Sequence, residues 1–156
     1  MTVRFACEKD IPQMNSLLYQ VERVHQQGRP DLFKEGAKKY TDNELKAMLK
    51  DKTKPIFAAV GENDVMKGYA FCVFQEHKDD NVLTDIKTLY IDDLCVDENC
   101  RGQHIGSVLY EAVKKFAKEQ GCYNVTLNVW ECNPSARKFY EKAGLKPYKT
   151  GMEVIL

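Results

Sequence analysis

The stretch Leu94-Cys-Val-Asp-Glu-Asn-Cys-Arg-Gly-Gln-His-Ile-Gly-Ser-Val-Leu109 passes from an alternating strand through a polar loop into an amphipathic helix. It carries Arg101, Gly102 and Gly106, and the helix is predicted to begin near Ile105. A helix start attracts phosphate through its unpaired N–H groups and the positive end of its dipole. Glycine lets the backbone approach a ligand closely. The stretch therefore predicts a site for the phosphates of a cofactor, although a tight strand-to-helix turn would give the same pattern.

The composition of the whole chain limits its class. The 156 residues are 44% hydrophobic, which suits one domain, residues 1–156, with one sizeable core. Lys plus Arg equals Asp plus Glu at 23 each, so no bulk positive field favours nucleic acid or an anionic membrane. No apolar run approaches the roughly 20 residues that span a bilayer. The N-terminus becomes charged too early for a signal peptide, which predicts a cytoplasmic protein.

The cysteines and histidines do not follow the spacing of metal ligands. The chain has six cysteines but no CxxC pair, and its three histidines are far apart. Structural zinc sites need closer, repeated spacings. The sequence therefore predicts reduced thiols and no metal site.

Several elements are predicted before the quoted stretch. A strand over residues 2–7 precedes a helix that Asp10 could cap, with apolar residues at helical spacing. Thr41-Asp-Asn-Glu44 is a capping box for a second, short helix. Strands over residues 55–60 and 68–74, joined by Gly61-Glu-Asn-Asp64, predict an antiparallel hairpin.

A pair of carboxylates, Asp92-Asp93, interrupts the next predicted strand, residues 88–96. Apolar residues alternate on both sides of the pair, but the two alternations are out of phase. The phase change predicts a β-bulge or splay, a feature that often accompanies active sites.

The second half of the chain is predicted to contain a crossover. The helix after Gly106 should end at Gly121, and a strand over residues 124–130 follows, so strand, helix and strand form a parallel unit. Asn133-Pro134 should start another helix that Ala143-Gly144 ends, and residues 145–148 and 152–156 are predicted to be final strands. The apolar stripe of the first of these helices comprises Ile105, Val108, Leu109, Ala112, Val113, Phe116 and Ala117.

A second stretch, Asn133-Pro-Ser-Ala-Arg-Lys-Phe-Tyr-Glu-Lys-Ala-Gly-Leu145, lies beyond the crossover. Together with Arg101-Gly-Gln-His-Ile-Gly106 it resembles the GCN5-related N-acetyltransferase (GNAT) superfamily. The resemblance covers the rest of the chain and implies an α/β (α+β) fold. Its mixed, mostly antiparallel central sheet would be flanked by helices and splayed between two parallel strands. Acetyl-CoA, the co-substrate, would lie in that opening.

The resemblance also implies which residues hold acetyl-CoA. Leu94, Cys95 and Val96 would lend backbone groups to the pantetheine arm, and one N–H there would polarise the thioester carbonyl. His104 stands where the family usually has glycine. A backbone with φ > 0 at this position would penalise most side chains, although histidine is among the residues enriched there. Alternatively, its imidazole would contact the phosphates. The pyrophosphate would be held by Arg101, Gly102, Gln103, His104, Ile105, Gly106 and Ser107, with Asn133, Ser135 and Ala136 beside the other wall.

The catalytic roles implied by the resemblance fall on three side chains. Tyr140 matches the family's frequent tyrosine, which protonates the departing CoA thiolate, and a phenol can donate that proton. Asp92-Asp93 resembles the Glu-Asp of the spermidine/spermine acetyltransferase branch, in which the first carboxylate binds the amine and takes its proton. Asp92 is therefore expected to be the base, although aspartate is one methylene shorter and would need a bridging water or a different acceptor. A base is required because an alkylammonium of pKa about 10 must be deprotonated before it attacks.

Simpler structural roles remain open for these residues. Tyr140 could be a core aromatic, and the two aspartates could face water. Trp130, expected with Asp92 and Asp93 at the acceptor, could line the pocket or fill the core. Cys95 is expected to be a buried thiol, since direct transfer needs no covalent intermediate.

The leading hypothesis is an enzyme that moves the acetyl group of acetyl-CoA to a primary amine by direct attack. Acidic residues at Asp92 and Asp93 favour a cationic small molecule as the acceptor. The alternatives are an enzyme that acetylates a protein or peptide amine, and a CoA-binding module that does not catalyse transfer. Dimers are frequent in this superfamily, so the resemblance also allows a homodimer.

Overall fold

The computed structural model describes residues 1–156 and has one five-stranded sheet with helices on both faces. The strand order is β1-β2-β3-β4-β5; all neighbouring pairs are antiparallel except the parallel pair β4–β5. This confirms the predicted fold class. The elements are β1 (Thr2–Phe5), α1 (Ile11–Gly28), α2 (Asp42–Lys50), β2 (Ile56–Val60), β3 (Met66–Gln75), β4 (Thr88–Val96), α3 (Ile105–Glu119), β5 (Asn124–Leu127) and α4 (Pro134–Lys142).

Local sequence signals set where the first helices begin. At α1 a proline lies in the first turn, but the predicted cap was wrong: Asp10 precedes the helix, and its carboxylate accepts from Arg4 and from the N–H of Cys7 instead of from the helix. At α2 the predicted capping box is confirmed: Thr41 Oγ1 accepts from the N–H of Glu44 at 3.2 Å, and Glu44 Oε2 accepts from the N–H of Thr41 at 2.7 Å. None of the helices is both long enough and apolar enough to cross a bilayer.

The sheet separates two apolar clusters. On one face α1 and α2 bury residues such as Met14, Leu18 and Leu45 against β2 and β3. On the other face α3 buries Leu109 and Val113 against β2, β3 and β4. Alternate side chains of a strand point to opposite faces, so the central strands contribute to both clusters.

The buried stripe of α3 differs from the prediction at one position. Ile105, Leu109 and Val113 are buried as expected, but Val108 is 41% exposed and Tyr110 is buried instead. The buried residues follow an i, i+4 row from Ile105, which inclines across the helix surface and carries the buried side away from Val108.

A bulge in β4 explains the phase change at the two aspartates. In the β3–β4 pairing Phe71 is opposite Asp93 and Cys72 is opposite Ile91, so Asp92 has no partner. Because one extra residue is inserted, the apolar residues before and after the bulge, Ile91 and Leu94 among them, pack on the same α3 face. The predicted bulge is confirmed.

The sheet opens immediately beyond this bulge. The parallel pairing of β4 with β5 ends at Ile91 and Leu127, so residues 92–96 of β4 have no strand on that side. This confirms the predicted splay, but the prediction that β5 runs to Trp130 was wrong. The bulge diverts β4 from the line of β5, and residues 128–130 no longer have a strand to pair with.

The two final strands were also wrong. Residues 146–156 have no regular structure, and none of them makes a backbone–backbone hydrogen bond. Met152 and Ile155 are 91% and 76% exposed. An alternating apolar pattern gives a strand only where another strand supplies hydrogen-bonding partners, and here the segment does not pair with β5.

Gly68 in β3 allows the close packing of β4 and α3 beside the opening. A Cβ at this position would lie 2.7 Å from the carbonyl oxygen of Cys95 and 3.0 Å from Cδ1 of Leu109. We expect Gly68→Ala to lower the free energy of unfolding by about 1–3 kcal/mol, because strand or helix must shift. Urea denaturation measures the change. Gly151→Ala, whose Cβ would meet no atom within 4 Å, is the matched control and should change stability by less than about 0.5 kcal/mol; equal effects would contradict the prediction.

Candidate active site

The opening beside β4 exposes backbone groups on the side that lacks a strand. Leu94, Cys95 and Val96 pair with β3 on one side only, and their other side faces the opening. Cys95 is 6% exposed and burial raises the pKa of its thiol to about 12, so it is a buried thiol as expected. The segment can therefore offer backbone N–H and C=O groups, but not a reactive thiolate.

The start of α3 has the geometry of an anion site. The first hydrogen bond within the helix comes from the N–H of Val108 to the carbonyl oxygen of His104, at 3.1 Å. The N–H groups of Ile105, Gly106 and Ser107 therefore remain free. Gly102 (φ +80°) and His104 (φ 60°) both adopt left-handed conformations, which turn the preceding loop into the helix. These features fit the pyrophosphate of a nucleotide cofactor.

Gly106 has a packing role beside its position in the motif. A Cβ there would lie 3.2–3.3 Å from the ring of Phe139 and 3.6 Å from Val96. The close contact places α4 directly beside the start of α3, at the end of the opening that lies next to this helix. The glycine is thus needed for helix packing, whatever ligand its N–H binds.

The N-terminus of α4 uses some of the predicted cofactor residues for its own capping. Oδ1 of Asn133 accepts from the N–H of Ala136 at 3.2 Å and from the hydroxyl of Ser135 at 3.4 Å. The predicted cap is confirmed. The Asn133 side chain orients α4, the helix that carries Tyr140.

The two bulge carboxylates have different environments. Asp92 is in an ion pair: its Oδ2 accepts from the hydroxyl of Tyr40 and lies 2.9 Å from Nζ of Lys39, while its Oδ1 accepts no hydrogen bond. Asp93 is in no ion pair, and only its Oδ2 accepts a hydrogen bond, from the hydroxyl of the buried Tyr69 at 2.7 Å. Burial raises the pKa of Asp93 to about 6, with hydrogen bonding from Tyr69 opposing the rise.

Besides Oδ1 of Asp92, two polar atoms in this region have no partner within the protein. Oδ1 of Asp93 accepts no hydrogen bond, and the hydroxyl of Tyr140 makes none. Every fully buried side-chain oxygen or nitrogen does have a partner, so these two atoms are not fully buried. Burial, and then the negative charge of Asp93, raise the pKa of Tyr140, which keeps the phenol protonated.

An aromatic group borders the other side of the opening. Trp130 is 43% exposed and meets Phe33 edge to face with ring centroids 5.2 Å apart; Phe33 in turn lies 5.2 Å from the ring of His25. Trp130 therefore does not fill the core. It can provide an apolar wall for a small molecule that enters between β4 and α1.

Sequence reasoning missed the residues that hold the carboxylates. Lys39 and Tyr40 lie in an irregular segment before the α2 cap, and Tyr69 lies on β3. Tyr69 is opposite Cys95 in the β3–β4 pairing and therefore diagonal to Asp93, a cross-strand neighbour that a predicted strand register could have suggested. No local signal links Lys39 to Asp92, because the contact joins residues 53 positions apart.

Comparison with known proteins places the chain in a family. It belongs to the Acetyltransferase (GNAT) family, which matches residues 18–145. It is 36% identical over 58 residues to the probable glucosamine 6-phosphate N-acetyltransferase 2 of Oryza sativa subsp. japonica, covering 37% of this chain and 33% of that protein. The chain thus spans about a third of that relative's length.

Solved structures extend the similarity to the whole fold. A mutant of the BH1408 protein from Bacillus halodurans has a TM-score of 0.96 at 28% identity, covering 100% of this chain and 99% of that one. An aminoglycoside acetyltransferase from an uncultured soil metagenomic sample, solved with sisomicin, has a TM-score of 0.74 at 20% identity, covering 99% and 94%. The second likeness shows the fold alone.

His104 provides a test of the turn before α3. Glycine adopts its φ of 60° freely, whereas a β-branched residue is strongly disfavoured there. We expect His104→Val to lower the free energy of unfolding by about 1–2 kcal/mol and to weaken CoA binding, because the loop must distort. His104→Gly should stay within about 0.5 kcal/mol of the parent, since relief of strain offsets the greater freedom of the unfolded chain. Denaturation and calorimetric titration with CoA measure both; equal tolerance of valine and glycine would contradict the role of the turn.

Proposed function

We propose that this protein is an acetyl-CoA-dependent N-acetyltransferase that acts on a primary amine of a small molecule. The observation that carries the proposal is the unpaired segment 92–96 of β4, flanked by the open oxygen of Asp93 and the open hydroxyl of Tyr140. A thioester presented along that segment would lie between a candidate base and a candidate acid. Family membership supports the reaction and the use of acetyl-CoA.

The co-substrate would occupy the opening from α3 to the bulge. The free N–H groups at the start of α3, with Arg101, Gly102, Gln103 and His104, would hold the pyrophosphate. Leu94, Cys95 and Val96 would hold the pantetheine arm by backbone groups, and one of their N–H groups would stabilise the negative charge that develops on the thioester oxygen. Asn133, Ser135 and Ala136 would border the other wall.

Asp93 is the better supported of the two candidate bases, in place of the expected Asp92. The charge of Asp92 is already compensated by Lys39 and Tyr40, whereas Asp93 has no cation within ion-pair distance. An incoming ammonium group would supply the missing positive charge. A carboxylate with a pKa of about 6 is also better matched to proton transfer near neutral pH than an ordinary one.

Tyr140 would supply the proton that the CoA thiolate needs. Its phenol stays neutral at physiological pH, and its hydroxyl is not used by any internal hydrogen bond. The amine nitrogen then attacks the thioester carbon as Asp93 takes a proton, the C–S bond breaks, and Tyr140 protonates the sulfur. Holding the two substrates together in the opening would supply much of the rate.

The acceptor is proposed to be a cationic small amine. Two carboxylates at the bulge and the aromatic wall of Trp130 support an ammonium group carried on a compact, partly apolar body. A polyamine, as the Asp92-Asp93 motif suggests, fits this description and is the first candidate. The curated relative acts, by its name, on glucosamine 6-phosphate, so an amino sugar, which also carries an ammonium group, is the second. The homodimer and the cytoplasmic location stay predictions.

An acceptor panel tests this function. The purified chain, acetyl-CoA and one amine at a time (glucosamine 6-phosphate, sisomicin, spermidine, or a peptide with a free N-terminus) are incubated, and the acetylated product is detected by mass. Detection of the product by mass is preferred to a colorimetric assay of released CoA thiol, because the chain itself has six cysteines that would react with the reagent. Acetylation of a small amine supports the proposal. Transfer to the peptide alone would favour a protein acetyltransferase, and CoA binding without transfer to any amine would indicate a silent module.

A further inference from the structure

One amine of the chain itself lies at the place proposed for the acceptor. Nζ of Lys39 is 2.9 Å from Oδ2 of Asp92 and donates to the carbonyl oxygen of Asp92 at 3.3 Å. It therefore contacts both the side chain and the backbone of the bulge. Its charge also acts on Asp93, where it opposes the rise in pKa that burial causes. A primary ammonium group thus contacts Asp92, the residue next to the proposed base, at the edge of the opening.

The neighbouring residue fixes this position. The ring of Tyr40 packs against Phe71 with centroids 5.5 Å apart, and its hydroxyl donates to Asp92. Lys39 is therefore held next to the bulge both by its own ion pair and by the contacts of the adjacent residue, Tyr40. Its side chain is 35% exposed, so it reaches the carboxylates without being sealed into the core.

We propose that Lys39 is an internal acceptor, and that the protein acetylates its own Nζ from acetyl-CoA; this rests on the proposed function. Of the two protons that the ammonium nitrogen loses, one passes to Asp93 and then to solvent. The N–C bond forms as the C–S bond breaks, and Tyr140 protonates the thiolate. The second proton of the nitrogen restores the proton that Tyr140 gave. The products are acetyl-lysine, CoA and one released proton.

Acetylation would change the charge at the entrance. An acetylated Lys39 has no positive charge, so its ion pair with Asp92 is lost. Asp92 would then keep only its hydrogen bond from Tyr40, so that its charge, with that of Asp93, could bind a cationic acceptor. The modification would act as a step that prepares the site for an external amine and would lower the KM for that amine.

Lys38 is a matched control within the same segment. Its Nζ also pairs with an aspartate, at 2.8 Å from Asp42, and donates to Asn15 at 2.7 Å, but it does not contact the bulge. Its side chain is 20% exposed, less than that of Lys39. Chemical acetylation by free acetyl-CoA depends on exposure and would favour Lys39 only modestly, whereas catalysed transfer would modify Lys39 far faster than Lys38.

The test is peptide mapping of the full chain after incubation with acetyl-CoA, with no added amine. We expect one acetyl group at Lys39, introduced at least ten times faster than at Lys38, with a rate constant that is unchanged over a tenfold range of protein concentration. Lys39→Arg should abolish this modification, and Lys38→Arg should leave it in place. A preformed acetyl-Lys39 population should show a lower KM for the external amine than freshly purified, unmodified protein.

The outcomes separate this proposal from the function on which it rests. If a small amine is acetylated while Lys39 reacts no faster than Lys38, internal transfer is wrong and the enzymatic function stands. If the rate constant rises with protein concentration, the acetyl group comes from a second molecule and the internal route is wrong. If neither Lys39 nor any added amine is acetylated, both fail.

Discussion

Replacing Asp93 with asparagine is expected to lower kcat about 10²-fold and at the same time to stabilise the protein. Asparagine can still accept the hydrogen bond from Tyr69 but cannot take a proton from the amine, so the base is lost without loss of local packing. In the parent enzyme kcat/KM should fall as the pH drops below about 6, where Asp93 becomes protonated. Steady-state rates across pH 5–9 measure both effects, and the acidic limb should be absent from the variant.

The stability change follows from the raised pKa of Asp93. An acid whose pKa is higher in the folded state than in the unfolded state holds its proton longer when folded, so folding stability falls as the pH rises from about 4 to about 6. Asp93→Asn removes this penalty. Its free energy of unfolding should match that of the parent near pH 4 and exceed it by about 1–3 kcal/mol above pH 6.

Asp92→Asn is the comparison that assigns the base. Asp92 is ion-paired with Lys39, so this variant loses a favourable interaction and should be no more stable than the parent at any pH. Its rate should retain the acidic limb that depends on Asp93. Should Asp92→Asn remove that limb while Asp93→Asn stays within threefold of the parent rate, the first carboxylate is the base and Asp93 is a structural residue.

The bulge shows what the sequence alone can predict. The alternation of apolar residues changes phase at Asp92-Asp93, and because side-chain direction in a strand has a period of two, an inserted residue is the simple physical explanation. The caps at Thr41 and Asn133 are equally local, since a cap and its N–H partner lie within one turn. Such features are readable because the interacting groups are close in sequence.

The environment of each carboxylate could not be predicted from the neighbouring sequence. Lys39 and Tyr69 reach the bulge from distant parts of the chain, and their contacts depend on how the whole sheet packs. For that reason the sequence assigned the base to Asp92 by resemblance, whereas the ion pair of Asp92 with Lys39 leads us to propose Asp93. The final strands failed for a related reason: the apolar pattern of residues 152–156 does not specify a partner strand.

Replacing Tyr140 with phenylalanine is expected to lower kcat about 10²-fold, because the CoA thiolate would leave without a proton. The variant keeps the aromatic contact with Phe139, whose ring centroid lies 5.1 Å away. Since the Tyr140 hydroxyl makes no internal hydrogen bond, the free energy of unfolding should change by less than about 0.5 kcal/mol. A core tyrosine would give the reverse pattern, with a stability change and a nearly unchanged rate.

Tyr110→Phe is the matched control for this substitution. Tyr110 is a buried tyrosine on α3, 5% exposed, and burial raises its pKa as it does that of Tyr140. Unlike Tyr140, it packs in the apolar cluster between α3 and the sheet. Removal of the Tyr110 hydroxyl should leave kcat within about threefold of the parent, since no proton transfer depends on it.

The double variant Asp93→Asn with Tyr140→Phe tests whether the two residues act in the same step. If Tyr140 regains its proton from the nitrogen that Asp93 deprotonates, the two losses act on one transfer step and the combined loss should be well below their product. Fully multiplicative losses would show that acid and base act independently, and an undiminished rate in Tyr140→Phe would remove Tyr140 from the reaction.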